Sequence, residues 1–400
     1  MLRHLLKLTW KRKGRHLMLS LEILLAFMLV FAVAATGLRF WQLQRMTLGF
    51  KYENVWAVEM LPPEGRDAKL NGPAQARMLQ ALQALPQVEM AALTDFPMFQ
   101  NSSWRSEFTP IGEQRNVSSD RLEVSDQFWP ALGMKLSAGR WPSEQDEGSD
   151  ATPAVLNQRM ADELFGGKPP LGQEFTESDS KPQEARRFRV VGLIEDFRNR
   201  GDFMAPRNFI ISRHSLVSGQ STLLTILVRT APGTPRAFEA DLQRQLKLVR
   251  NDWGYHINPL TELRSDLLAE TLIPLKIMAV IAVFLLLMVC FGLFGVLWQN
   301  TTRRIPEIGL RRALGATAGS IYQQIVAEQM LLSTLAMLGG LALLVQLPLT
   351  GVLGESLNWP VFGAATALSM GVIYLLSLLC ALYPGWRASR LHPAAALHYE

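Results

Sequence analysis

The chain has 400 residues, of which 48% are hydrophobic and only 19% charged, and its mean hydropathy is positive. Because soluble domains carry about 25% charged residues, the composition argues against a wholly soluble protein. The net charge of +5 is concentrated beside apolar runs, so it describes membrane topology and not a nucleic-acid-binding surface.

Four apolar runs, poor in charged residues, have the length that crosses a hydrocarbon core of about 30 Å. We therefore predict transmembrane helices over residues 17–40, 272–298, 325–347 and 361–383. One such run would also suit a buried core helix, but four of them argue against that alternative. The first run follows a basic segment, as a signal sequence does. It is too long for one and no small-residue cleavage site closely follows it, so we interpret it as a retained anchor.

Residues 1–16 predict a basic amphipathic helix that lies on the membrane surface and binds anionic lipid. Apolar side chains share one face and basic side chains the other: Leu2, Leu5, Leu6 and Trp10 against Arg3, Lys7 and Lys11. The alternative is an unstructured basic tail whose charge sets only the topology.

The distribution of charge predicts which segments are cytoplasmic. Residues 1–20 contain six basic and no acidic residues, residues 299–322 contain four arginines and one glutamate, and residues 41–271 contain 26 basic and 30 acidic residues. Short cytoplasmic segments are enriched in lysine and arginine. We therefore place both termini, the tail 384–400 and the loop 299–322 in the cytoplasm, and residues 41–271 and the loop 348–360 outside.

Residues 41–271 predict an α+β domain of two lobes. Strand, helix and strand patterns follow one another twice, at 54–60, 73–85 and 88–93 and again at 222–229, 235–249 and 255–260. Such units commonly pack as one layer, which gives a split lobe over 51–99 and 216–261. A β-rich lobe over 100–215 is inserted into it, with strands predicted at 117–124, 154–157 and 188–194 and helices near 127–132 and 157–165. A stalk over 262–274 leads to the second membrane helix.

The chain carries no enzyme motif. It lacks the G-x-x-x-x-G-K-[ST] phosphate-binding loop, its six histidines show no metal-ligand spacing, and it has no G-x-S-x-G string. We predict no catalytic residue, bound cofactor or metal site. Cys290 and Cys380 both lie in apolar runs, and we interpret them as packing residues of the membrane helices.

The loop 299–322 contains the signature of a short helix. Pro306 suits the first turn of a helix, Glu307 lies near its positive N-terminus, and Gly315 suits its C-terminal cap. Apolar and basic side chains alternate between these ends: Ile308, Leu310, Ala313 and Leu314 with Arg311 and Arg312. A simple positive-inside hairpin would explain the arginines, but neither the apolar face nor the start and stop signals.

Motifs in the second half of the chain resemble those of FtsX/MacB-type ABC transporter permeases. The string Glu307-Ile-Gly-Leu-Arg-Arg-Ala-Leu-Gly-Ala-Thr317, followed by Glu328 and a helix with Gly339-Gly340, is similar to the superfamily signature. The string Tyr383-Pro-Gly-Trp-Arg-Ala-Ser-Arg-Leu-His-Pro-Ala-Ala-Ala-Leu397 is similar to its closing motif. Gly139-Arg140, Ala154-Val-Leu-Asn157 and Val190-Val-Gly-Leu-Ile-Glu-Asp196 resemble the MacB-like periplasmic core domain.

This resemblance implies a bacterial inner-membrane permease whose periplasmic lobes correspond to the Porter and Sabre lobes of the family. ATP hydrolysis by a cytoplasmic ABC ATPase would drive periplasmic movement and export. The implied partners are that ATPase, which binds ATP and magnesium, a second permease chain, identical or different, a periplasmic adaptor and an outer-membrane duct. MacB itself fuses its ATPase to the permease, whereas we expect another polypeptide to supply it here. The alternatives are a lipoprotein-releasing permease and an FtsX-like regulator of an envelope enzyme that transports nothing.

The resemblance also implies that the helix in the loop 299–322 docks on the ATPase. The expected contact residues are Pro306, Glu307, Ile308, Gly309, Leu310, Arg311, Arg312, Ala313, Leu314 and Gly315.

Within the membrane helices, Glu22 lies about a turn inside the first one. There it would either contact another helix or the basic loop, or reach headgroup water. The glycines at 292, 295, 339 and 340 are expected to let helices approach closely.

Overall fold

The computed structural model describes residues 13–63, 70–178, 185–217, 220–221, 223–350 and 358–389. The chain divides into two compact units. The helical unit consists of Met1–Gln42 and Thr271–Glu400, and the α+β domain is Leu43–Glu270. Most of the predicted surface helix over residues 1–16 lies outside the described residues.

The helices are described first, in chain order. They are α1 (Lys13–Gln44), α2 (Gly72–Gln83), α3 (Phe128–Ala131), α4 (Gln158–Phe165), α5 (Glu239–Val249), α6 (Leu260–Arg303), α7 (Ile305–Ala313), α8 (Ala318–Leu344), α9 (Gln346–Thr350) and α10 (Trp359–Ser389). Short 3-10 turns lie at Glu144–Asp146 and Arg236–Phe238.

The strands all belong to the α+β domain. They are β1 (Val55–Leu61), β2 (Leu70–Asn71), β3 (Val88–Thr94), β4 (Trp104–Pro110), β5 (Val117–Val124), β6 (Ala138–Gly139), β7 (Thr152–Asn157), β8 (Glu174–Glu177), β9 (Arg187–Ile194), β10 (Phe209–Arg213), β11 (Gln220–Ser221), β12 (Thr225–Thr230) and β13 (Gly254–Pro259).

Four helical segments of the described chain are long and apolar enough to cross a membrane: Met18–Gln44, Leu260–Arg303, Ala318–Thr350 and Trp359–Arg387. Together with the α+β domain of two lobes, they confirm the predicted fold class.

Polar side chains between α8 and α10 are paired across the helices, Ser333 with Ser377 at 2.7 Å and Thr334 with Tyr374 at 2.8 Å. Such pairing removes the cost of placing hydroxyl groups in hydrocarbon.

The helices extend further than the apolar runs predict. The predicted stalk and second membrane helix form one helix, α6, with Pro274 inside it. The predicted loop 348–360 begins within α9, and the predicted tail 384–400 begins within α10, which ends at Ser389. At the start of α8, Thr317 accepts a hydrogen bond from the Ser320 N–H. Caps of this kind fix where a helix begins, whereas hydropathy shows only which part meets lipid.

The split lobe of the α+β domain is built on four antiparallel strands in the order β3-β12-β1-β13. α2 and α5 pack on one face of these strands, over a core that includes Met78, Leu82 and Leu242. Asn71 begins α2 by accepting a hydrogen bond from the Ala74 N–H at 2.9 Å. The strands and helices that the sequence predicts for this lobe lie within four residues of the observed bounds.

The inserted lobe continues the same sheet, in the order β10-β7-β9-β8-β4-β5, and β10 also pairs with β5. The sheet passes from one lobe to the other where Thr94 of β3 pairs with Val124 of β5. Asn157 begins α4, and its side-chain oxygen also accepts from the Phe209 N–H at 3.0 Å. The sequence does not predict strands β4, β6, β8 and β10 of this lobe.

Candidate functional site

The short helix that the loop motif predicts is α7, and residues of the motif fix both of its ends. Pro306 lies in the first turn, where its missing N–H costs no hydrogen bond, and Glu307 lies beside the positive N-terminus. Gly315 has φ +96°, a left-handed conformation that favours glycine. The Ala316 N–H donates to the Arg311 carbonyl oxygen at 3.0 Å, which is the bond of a Schellman cap.

An apolar contact anchors α7 to α8. Ile308 is only 6% exposed and packs against Ile321 and Ile325 of α8. Gly309, next to Ile308, is also buried. Ile308 therefore holds α7 against α8. Both residues, which the resemblance places among the ATPase contacts, are covered within the chain.

A series of ion pairs and hydrogen bonds between side chains also joins α7 to α8. Arg304 forms an ion pair with Glu328 at 2.8 Å, and Gln324 donates to the other Glu328 oxygen at 3.0 Å. Arg311 donates to Gln324 at 2.8 Å and pairs with Glu307, one turn earlier, at 2.6 Å. Arg304 and Gln324 were not predicted as site residues. The four-residue spacing of Gln324 and Glu328, which puts both on one helix face, is the signal that could have found Gln324.

The opposite side of α7 is open. Seven of the ten expected contact residues are exposed in the chain: Pro306, Glu307, Leu310, Arg311, Ala313, Leu314 and Gly315. Leu310 is 55% and Leu314 80% exposed, whereas Arg312 is half-buried. Two exposed leucines one turn apart, beside the Glu307–Arg311 ion pair, form a small apolar centre with a charged rim, as protein interfaces do.

Aromatic rings mark the membrane boundary next to α7. The Trp298 ring near the end of α6 stacks on Tyr383 of α10 with ring centroids 5.9 Å apart, and the Arg387 guanidinium lies 4.3 Å over the Trp298 ring. Trp359 lies at the other end of α10. At 1.5 Å per residue, the helix between Trp359 and Tyr383 is about 36 Å long, which suits a bilayer with aromatic residues at both interfaces. α7 therefore follows directly on the membrane interface.

Two family models match the chain. The model of the MacB-like periplasmic core domain matches residues 21–245, and the model of the FtsX-like permease C-terminal matches residues 279–393. The chain belongs to the FtsX/MacB family of ABC transporter permeases. The permease motif Glu307–Thr317 and most of the closing motif lie within the second match, and the family resemblance drawn from them is confirmed.

Individual relatives of this permease are distant. It is 25% identical over 338 residues to "Macrolide export ATP-binding/permease protein MacB" of Syntrophobacter fumaroxidans, covering 70% of this chain and 46% of that relative. It is 24% identical over 291 residues to "Uncharacterized ABC transporter permease YknZ" of Bacillus subtilis, covering 69% of each. The permease therefore spans about half the length of the MacB relatives it matches.

One solved structure among those similar to the permease is the periplasmic region of MacB from Actinobacillus actinomycetemcomitans. The sequence identity is 17% and the TM-score 0.40, and the alignment covers 58% of this chain and 97% of that one.

Within the permease membrane helices, Glu22 lies against α6. A methyl group at Gly292 would come 2.9 Å from the Glu22 Oε2 atom, which places this carboxylate beside α6. Gly340 lies under the Phe27 ring in the same way. No other described residue of the chain comes within 4 Å of a methyl group placed at Gly295.

No metal centre emerges from the parts of the permease that the structure describes, since no three His, Cys, Asp or Glu side chains are grouped as ligands there.

The Cys290 and Cys380 thiols lie 3.3 Å apart, between α6 and α10. They pack against one another and join the two helices.

Proposed function

We propose that this permease is the membrane subunit of a MacB-type ABC exporter and that α7 is its coupling helix. The observation that carries the proposal is the two-sided character of α7. Ile308 and the Arg304–Glu328 ion pair hold one side on α8, while Leu310 and Leu314 are exposed on the other. When a partner bound to the exposed side moves, α7 passes that movement to α8, because its contacts with α8 prevent it from rotating in place.

The partner in this proposal is a cytoplasmic ABC ATPase, which binds ATP and magnesium. Its presence is supported by the absence of a phosphate-binding loop from these 400 residues and by the name of the MacB relatives, which includes ATP binding. The four arginines against one glutamate in residues 299–322 support a cytoplasmic position for α7. The same charge rule supports an inner-membrane protein with both termini in the cytoplasm.

The proposed cycle begins when ATP binding draws two ATPase subunits together, each bound to one permease chain. α7 moves with its ATPase, and the movement passes along the membrane helices to the α+β domain in the periplasm. Substrate is handled outside the inner membrane and passed to a periplasmic adaptor and an outer-membrane duct. Two permease chains and the adaptor belong to the proposal because MacB-type exporters are assembled in this way.

A photo-crosslinking amino acid at Leu314 tests the proposal even while the partner protein is unidentified. We expect irradiation of cells that express the full chain to give an adduct whose second protein contains a phosphate-binding loop, identified by mass spectrometry. The matched control has the same crosslinker at Leu338 of α8, which is 50% exposed but lies in the apolar run. This control should give no ATPase adduct.

Charge reversal supplies the second arm of the experiment. Arg311→Glu combined with Arg312→Glu should abolish co-purification with the ATPase found by crosslinking, because both substitutions reverse charge on the helix that binds it. An adduct at Leu314 that contains no ATPase, or a complex unaffected by the double substitution, would overturn the assignment of α7.

A further inference from the structure

A buried arginine in the α+β domain closes the C-terminal end of α1. The Arg198 side chain is 1% exposed. Its guanidinium donates to the carbonyl oxygens of Leu43 at 3.0 Å and Met46 at 3.1 Å. These carbonyls lie at and just beyond the last turn of α1, where carbonyl groups lack helical partners and the helix dipole favours a positive charge.

The same guanidinium holds its own loop in shape. It donates to the carbonyl oxygen of Met204 at 2.8 Å and to that of Asp202, and the Gly201 N–H donates to the Arg198 carbonyl at 2.9 Å. Residues 198–204 are called the joint loop below. The geometry of the loop and the position of the end of α1 therefore depend on one side chain.

The joint loop also binds the first turns of α6. The Asp202 carboxylate accepts two hydrogen bonds from Arg264, at 2.8 and 2.9 Å. Asp202 is 7% exposed, so the pair is shielded and its two parallel bonds fix the direction of the guanidinium. Arg264 also donates to the Tyr52 hydroxyl at 2.8 Å.

Backbone geometry leaves the joint loop little freedom. Gly201 has φ +91°, and a methyl group there would lie 3.0 Å from the Phe99 ring and 3.3 Å from Leu267 of α6. Phe99 itself has φ +66°, which a bulky residue adopts only when its surroundings impose it. Its N–H donates to the Asn199 carbonyl at 2.7 Å. The loop is thus packed against α6 as well as hydrogen-bonded to it.

We propose that the joint loop is a mechanical joint, in which Arg198 holds the end of α1 and Asp202 holds Arg264 at the start of α6, so that movement of either helix is transmitted to the α+β domain. The inference rests on the proposed function, because it assigns the place at which α7-driven movement enters this domain. α1 and α6 are the two helices that run from membrane spans into the domain. A joint that holds both prevents one from sliding while the other stays still.

Asp202→Asn is the variant that tests the joint, because asparagine keeps the shape of the side chain and removes its charge. Glu262→Gln is the matched control. It breaks the exposed Arg236–Glu262 pair of 3.1 Å on the same turn of α6, which does not involve the joint loop. Hydrogen exchange is measured on the full chain with its ATPase in lipid nanodiscs, with and without the non-hydrolysable ATP analogue AMP-PNP.

We expect Asp202→Asn to speed amide exchange roughly tenfold in residues 43–49 and 260–267, the effect of losing a charged hydrogen bond. The change in exchange that AMP-PNP causes in the rest of the α+β domain should disappear in Asp202→Asn and persist in Glu262→Gln. If AMP-PNP still changes exchange throughout the domain of Asp202→Asn, the joint does not transmit movement and the inference is wrong.

The Leu314 crosslink separates this inference from the proposed function. If the ATPase adduct forms in Asp202→Asn and the nucleotide response is lost, both hold. If the adduct forms and the response is unchanged, only the joint fails. If wild-type chain gives no ATPase adduct, the proposed function itself fails.

Discussion

Arg304 of the turn before α7 and Glu328 of α8 form an ion pair of 2.8 Å. The two side chains are only 21% and 26% exposed, so the pair is less screened by water than an exposed one. Glu328 also accepts from Gln324, which binds Arg311. One carboxylate on α8 therefore orients a charged residue at each end of α7.

The first prediction concerns this carboxylate. Glu328→Gln should loosen α7, because the neutral amide loses the charge that attracts Arg304. We expect hydrogen exchange of the α7 amides to increase about tenfold, as for a charged hydrogen bond worth ~1.5 kcal/mol. Glu307→Gln is the control: it breaks an ion pair whose side chains are 45% and 50% exposed, worth well below 1 kcal/mol. Equal exchange rates in both variants would contradict the anchoring role of Glu328.

The second prediction uses two glycines with nearly the same backbone angle. Gly49 has φ +86° and Gly112 has φ +85°. A methyl group at Gly49 would overlap the Asp196 carbonyl oxygen, whereas none of the neighbouring residues described comes within 4 Å of one at Gly112. Gly112→Ala should cost about 1 kcal/mol for the left-handed conformation alone. Gly49→Ala should cost at least ~2 kcal/mol more, measured by thermal unfolding of the full chain in detergent. Similar unfolding temperatures for the two variants would show that residue 49 is not packed in this way.

The sequence could predict strands whose own residues favour them. β5 has the predicted bounds, Val117–Val124, because apolar residues recur along it. β4 was missed because Trp104–Pro110 contains charged and hydroxyl residues and no β-branched run. It is a strand because Phe108 pairs with Val117 on one side and Glu177 on the other. Pairing across a sheet is a tertiary effect that overrides local preference.

At the candidate site, the sequence predicts the helix α7, but not which of its faces is buried and which is exposed. Pro306, Glu307 and Gly315 mark the start and stop of α7 correctly. Ile308 and Leu310 are equally apolar, and only the position of Ile321 shows that the first is covered and the second open. The Asp202–Arg264 pair joins residues 62 positions apart, and no local pattern marks an ion pair of that separation.

The third prediction concerns pH. Asp95 accepts a hydrogen bond from the Glu123 N–H at 2.6 Å. Burial raises the pKa of the Asp95 carboxyl from its ordinary value of 3.8 to about 6. The hydrogen bond from the Glu123 N–H opposes this rise, as do Arg121 and His214, whereas the negative charge of Glu123 adds to it. Burial also raises the pKa of Glu123, but hydrogen bonds from His214 and Arg186 outweigh it and lower that pKa to about 2.

The folded chain therefore favours the protonated form of Asp95. Its contribution to stability is complete below pH 3.8 and is lost as the pH rises through about 6. Asp95→Asn keeps the oxygen acceptor and stays neutral, so the variant should gain stability relative to wild type between pH 4 and 7, by about 1–3 kcal/mol. Unfolding temperatures of both chains across this range measure the difference. A difference that stays constant across this range would mean that the pKa of Asp95 is not raised.

The last prediction tests the packing of α6 against α10. The Cys290 and Cys380 sulfur atoms are 3.3 Å apart, close enough for a disulfide to form with little movement of either helix. Copper phenanthroline with oxygen should oxidise the pair, with each thiol giving up one electron and one proton as the S–S bond forms. Intact mass spectrometry of the full chain should then show a loss of two hydrogens that a reductant reverses.

Cys380→Ser is the control, because it leaves a single thiol that has no partner within the chain. The oxidised wild-type chain should lose both alkylatable thiols, whereas the variant should keep one. Two thiols that remain fully alkylatable after oxidation would show that α6 and α10 do not meet at these positions. The disulfide would hold α6, the helix that precedes α7, against α10. If these two helices move apart during the ATPase cycle, the disulfide should also slow ATP turnover of the complex.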